Sequence, residues 1–186
     1  MSQYYLIAQL PSLDGLAENA PLPITEEQFL TLCGRLLGKK TVSELERLTL
    51  LPSIGAEHSE SPLIEGWNDN ERKLRVALAK ARADKIGKPF DLPSDNLSTA
   101  HMKIASEAVE IENPLEAESF LLHYRLRALE MYRPMDVFSK EYLFYYGLKL
   151  KLILRIRGFD TKAGEAAYKD IYRSILDGDR TEVSNG

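Results

Sequence analysis

A chain of 186 residues is long enough for one domain with a real core, or for two very small ones. Hydrophobic residues make up 44% and charged residues 28%, an ordinary globular balance, and the net charge of −4 lacks the basic excess of proteins that live on nucleic acid. Cys33 is the only cysteine, so no disulfide forms within the chain, as suits a reducing compartment.

The opening stretch, MSQYYLIAQLPSLDG, has no basic n-region and does not read as a secretory signal. Within it YYLIAQL is the one candidate strand, too isolated to build a sheet. Thr25 with Gln28 forms a capping box ahead of EEQFLTLCGRLLG, and Gly38 is the expected left-handed stop. Thr41 with Glu44 suggests a second box before VSELERLTLL, which Pro52 would end. Pro, Gly and Ser mark residues 52–66 as a loop. A helix is expected from about Asp69 to Ile86, then a connector over residues 87–96, then a helix from about Leu97 to Ile111.

Asn113, Pro114 and Glu116 fit the N-cap, first and third positions of a helix running to about Tyr132. Leu115, Leu122, Leu126 and Leu129 recur on one of its faces, and Phe120, Tyr124, Ala128 and Met131 on a second. Glu116, His123, Arg127 and Glu130 form its polar stripe. The next helix is expected from Phe138 to Arg157, packed antiparallel to the first because the link is short. Asp160 should cap a last helix to about Leu176, and residues 179–186 read as a flexible polar tail. The prediction is an all-α fold: one elongated bundle of six or seven helices over residues 1–178.

The segment LFYYGLKLKLILRIRGFD is the most apolar of the chain. Its apolar run from Tyr142 to Ile156 is short of the roughly 20 residues a membrane span needs. Inserting it would gain roughly 2.4–4.8 kcal/mol from its Leu, Ile and Phe side chains, against roughly 5–7 kcal/mol for Lys149 and Lys151. A soluble central helix is therefore expected. Leu143, Tyr146, Gly147, Leu150, Ile153 and Leu154 share one face, and Tyr145, Leu148, Leu152 and Ile156 a second. Between them runs a cationic strip of Lys140, Lys151 and Arg155. The strip is either a solvated line with snorkelling stems or a line that meets an acidic partner or internal carboxylates. Arg155 is the member expected to be buried against Asp160 or a carboxylate of the preceding helix, with Lys140 left exposed.

Motifs for chemistry are thin. GRLLGKKT misses the phosphate-loop spacing and has no preceding strand. His58, His101 and His123 stand apart from one another at no metal-ligand spacing, and Cys33 sits on an apolar helix face as a small buried thiol. ERKLRVALAKARADKIGK is the most basic stretch. Its Arg72 and Arg75 lack interleaved aromatics for base stacking, so they read as a solvated face or a contact for an acidic partner. Catalytic, cofactor and metal residues are expected to be none. The candidate partner contacts are Lys140, Lys151, Arg155, Arg72 and Arg75.

Two stretches carry a family resemblance. YYLIAQLPSL, through Tyr4, Tyr5, Ala8, Leu10, Pro11 and Leu13, resembles the opening of an uncharacterised bacterial family encoded among V-type ATP synthase subunits. Towards its C-terminus that family has a Lys-Leu pair followed by Arg, Asp and Gly. Lys149, Leu150, Arg155, Asp160 and Gly164 stand there in this chain, with Ile156 where the family has Trp. The overall plan is also similar to the helical C subunit (d subunit in eukaryotes) of V-type ATPases. The resemblance implies a non-catalytic role beside a rotary ATPase: protein contacts with V-type ATP synthase subunits, in the cytoplasm or at the membrane periphery through the complex. The alternatives are a free-standing helical interaction module and an enzyme built on His58 or His101.

Overall fold

The structure is a computed structural model, and it describes residues 2–16, 21–52, 59–91 and 97–158. Those residues form seven helices and no strand: α1 (Ser2–Gln9), α2 (Glu26–Leu36), α3 (Lys39–Glu46), α4 (Pro62–Lys85), α5 (Thr99–Glu110), α6 (Pro114–Glu130) and α7 (Lys140–Gly158). The expected helix from Asp160 and the polar tail lie outside the described residues.

Several helix ends follow the capping chemistry of the sequence. Thr25 Oγ1 accepts from Gln28 N at 3.1 Å, and Gln28 Oε1 accepts from Thr25 N at 2.9 Å, which closes the box on α2. Asn113 Oδ1 accepts from Leu115 N at 3.0 Å at the start of α6. Gly87, at φ 67, ends α4 in a Schellman turn, with Lys88 N bonded to Ala83 O at 2.9 Å and Gly87 N to Asp84 O at 3.1 Å.

Four expectations are corrected. YYLIAQL is helical: with no neighbouring strand, a helix satisfies its backbone while seating Leu6 and Ile7 in the core. Gly38 is not a left-handed stop. It is extended, at φ −70 and ψ 150, and precedes α3, because Leu37 already turns the chain to pack its side chain on the core. Thr41 therefore falls inside α3, and no second box forms. Residues 62–66 are not loop. Ser61 Oγ accepts from Ile64 N at 3.2 Å, Pro62 takes the first helical position, and Leu63 and Trp67 drive the early turns of α4 into the core.

The central helix is buried nearly all round, from Leu143 to Leu150 and again at Leu152. Among the described helices α2, α3, α4 and α6 all contact it. α6 lies antiparallel to it: Glu130, at the end of α6, meets Tyr145 and Lys149, while Glu118, near its start, meets Arg155. Gly147 has a steric reason. A Cβ there would lie 3.3 Å from Leu48 and 3.4 Å from Phe29, so a bare backbone lets α2 and the turn after α3 approach.

A second, smaller cluster joins α4, α5 and α6 through Leu74, Ala77, Leu78, Ala105, Ala108 and Leu121. Leu74, Ala77 and Leu78 recur at helical spacing along α4 and face this cluster, with Ala81 packed beside them. α5 runs in the same direction as α4, since His101 meets Asn70 and the Val109 carbonyl meets Lys85. Met131 is not on the apolar face of α6. The helix ends at Glu130, and Met131 is 86% exposed. No helix among the described residues is long and apolar enough to cross a membrane.

Candidate partner-contact surface

The cationic strip is met from within the fold. Lys140 Nζ lies 2.5 Å from Glu44 of α3 and 5.2 Å from the Phe144 ring centre. Lys151 pairs with Glu26 in the first turn of α2. Arg155 lies 3.5 Å from Glu118 of α6, so the partner on the preceding helix exists, but Arg155 is half exposed rather than buried. Of the two sequence readings, internal carboxylates describe the geometry. Lys140 is also the better enclosed end, the reverse of what the sequence suggested. Arg72 is exposed on α4, and the exposed Arg75 lies 3.8 Å from Glu71.

Two buried charges escaped sequence reasoning. Lys149 is 8% exposed, with its Nζ 2.5 Å from Asp14, 2.6 Å from Glu130 and 3.1 Å from the Tyr145 hydroxyl. Burial by itself would lower its pKa; the hydrogen bonds with Asp14, Glu130 and Tyr145 outweigh it and hold the ammonium charged. The bond from Lys149 in turn lowers the Asp14 carboxyl below its ordinary value, and burial pushes the Tyr145 phenol up to about 12. Arg133 closes the cluster at 3.3 Å from Asp14. The second buried charge is Glu71, fully enclosed and held by Arg125 through contacts of 2.8, 2.9 and 3.0 Å. On a helical wheel Lys149 falls among Tyr142, Tyr145 and Ile156, and Glu71 among Trp67, Leu74 and Leu78; that apolar setting is the signal for burial, while the groups that hold each charge come from distant elements.

The histidines do not assemble. His58 lies outside the described residues. His101 shares a 2.7 Å hydrogen bond with Ser98, the cap of α5, and a 3.0 Å bond with Asn70. Burial first, and Lys73 second, lower its pKa and favour the neutral ring. His123 bonds the Ser119 carbonyl one turn back, at 2.8 Å. Cys33 is fully buried, and burial raises its thiol to about 12. Among the described residues no three His, Cys, Asp or Glu side chains converge as a metal site.

The two stretches that carry the family resemblance come together. The Tyr146 hydroxyl donates to the Pro11 carbonyl at 2.9 Å, and Lys149 reaches Asp14, the residue after Leu13. Leu13 and Leu150 are both core residues. Tyr4 and Tyr5 project outwards on α1, and Arg155 sits near the far end of α7. Asp160 and Gly164 lie outside the described residues. Compared with known proteins, the chain matches no family model, no curated protein and no solved structure.

Proposed function

We propose that this protein is a non-catalytic accessory or central-stalk-like subunit associated with a bacterial V-type ATP synthase, acting through protein–protein contacts. The reading starts from the resemblance of its two ends to a family encoded with that enzyme. The observation that supports it is that the two regions adjoin: Pro11 and Lys149, which carry the resemblance, contact Tyr146 and Asp14, which lie beside the other stretch, each pair 135 positions apart in the chain. These contacts tie the segment that follows the N-terminal helix to the central helix. The protein would act in the cytoplasm, reaching the membrane periphery only through its complex.

Affinity purification of the tagged full chain after mild extraction tests this. V-type ATP synthase subunits should co-purify in constant ratio. A preparation in which those subunits never appear, while other proteins do so reproducibly, sinks the proposal in favour of a free-standing helical module.

A further inference from the structure

We propose that residues 2–14, α1 and the turn that follows it, form a releasable strap across the central helix. The strap opens as one unit while α2 to α7 stay packed, and its opening uncovers Lys149 and Tyr146. This device is independent of the functional reading above.

The strap is what covers this face. The Tyr146 hydroxyl donates to the Pro11 carbonyl at 2.9 Å, Lys149 donates to Asp14 at 2.5 Å, and Arg133 lies 3.3 Å from the same carboxylate. Leu6, Ile7 and Leu13 fill seats in the larger core, and α1 also lies against α2. Near the start of the strap, Gln3 Nε2 donates to the Phe138 carbonyl at 2.5 Å, and the Tyr4 ring stacks on Phe138 with centres 5.2 Å apart. Beneath this cover Lys149 and Tyr146 are buried.

The charges are arranged so that the strap strands none of them when it leaves. Lys149 keeps Glu130 at 2.6 Å and the Tyr145 hydroxyl at 3.1 Å, both outside the strap. Arg133 keeps Glu130 at 3.8 Å and lies over the Tyr145 ring, 5.8 Å from its centre. Asp14 is half exposed while still in place, so water takes over its bonds as it departs. Breaking a buried ion pair is most costly where it leaves a charge alone, and here each charge retains a partner or gains water. Glu71, wholly enclosed against Arg125, has no such route. What opening uncovers is a cationic seat, in which Lys149 and Arg133 share the carboxylate of Glu130.

Backbone geometry and helix length make the opening a single event. The chain leaves the strap through Gly15, at φ 66, where a Cβ would meet nothing within 4 Å, so the backbone turns there without displacing a neighbour. α1 has only 8 residues, fewer than the roughly 12–15 that an isolated helix needs in water. Docking rather than propensity holds it helical, so undocking and loss of its helical hydrogen bonds coincide. Amide exchange therefore reads the opening directly.

Hydrogen exchange of the full chain, followed by mass spectrometry, tests it. Acetylation of Lys149 by acetic anhydride is a second readout, with Lys151, on the same helix but paired with Glu26, as the internal control. In the parent the amides of α1 should exchange faster than those of α7. Asp14→Asn removes a charged hydrogen bond and should speed α1 by about tenfold or more, while α7 keeps the parent's rate. Lys149 acetylation should rise with it, and Lys151 acetylation should not. Tyr146→Phe, which removes the bond to Pro11 and no charge, should speed the same amides by a smaller factor. If α1 and α7 exchange at one rate and rise together in Asp14→Asn, the strap opens only with the whole fold and the proposal falls. It falls equally if Asp14→Asn leaves α1 unchanged, or if α1 of the parent already exchanges as fast as an unstructured peptide.

Discussion

Replacing Arg125 by Met should be among the most damaging single changes in this protein. Glu71 is wholly buried, and Arg125 is 11% exposed and forks onto both carboxylate oxygens. The pair sits where α4 and α6 pass from the larger core to the smaller one, with Leu74 and Leu121 on one side and Trp67 and Leu122 on the other. Met keeps most of the apolar stem, so the loss is mainly electrostatic. It strands a buried carboxylate whose other cation, Arg75, is 3.8 Å away and 44% exposed. Breaking a buried pair on one side costs about 3–5 kcal/mol. For a chain of this length that lowers Tm by roughly 6–20 °C. Replacing both partners, as Glu71→Leu with Arg125→Met, should bring stability back to within about 1 kcal/mol of the parent, because no charge is then left behind. Urea and thermal unfolding followed by circular dichroism give the full double-mutant cycle. A single Arg125→Met variant that melts within about 2 °C of the parent would refute the reasoning, since the carboxylate would then have found water or another cation.

Three further outcomes are expected. Gly66→Ala places a Cβ 2.7 Å from the Tyr132 ring and should destabilise by about 1 kcal/mol net, whereas Gly34→Ala, with nothing within 4 Å, should stabilise by about 0.5–1 kcal/mol; chemical denaturation of the pair reads the contrast. The depressed His101 pKa means the fold prefers the neutral ring, so its stability contribution is complete above the unfolded value near 6.5 and declines as pH falls below it; His101→Gln should flatten the loss of Tm between about pH 7 and pH 5. Arg155→Ala and Lys140→Ala should each cost no more than about 1 kcal/mol, with Lys140 the larger because it is better enclosed and also lies over Phe144; a clear drop for Arg155 alone would reverse that ordering.

Much of the helical plan was legible in local chemistry. The Thr25–Gln28 box, Asn113 with Pro114, and Gly87 each act within a few residues, so the sequence by itself determined those ends. It also determined the sandwiched central helix, because two apolar faces on one helix need neighbours on two sides. The errors fell where two local signals compete. Ser61-Pro62 serves equally as loop punctuation and as a helix start, and Gly38 serves as a stop or as an extended link. Packing settled both, through Trp67 and Leu37 respectively.

Which groups the buried charges meet could be decided only by the tertiary structure. Lys149 and Lys151 are two residues apart on one helix, yet Lys149 is buried by Asp14, Glu130 and Tyr145 while Lys151 pairs with Glu26 nearer the surface. Periodicity reports which way a side chain points along its own helix. It carries no record of which distant carboxylate stands opposite, and Asp14 and Lys149 meet only because α1 and its following loop fold back on α7. The Tyr4–Phe138 stack has the same origin: the two residues are far apart in sequence, and only the return of the N-terminal helix to the start of α7 brings their rings together.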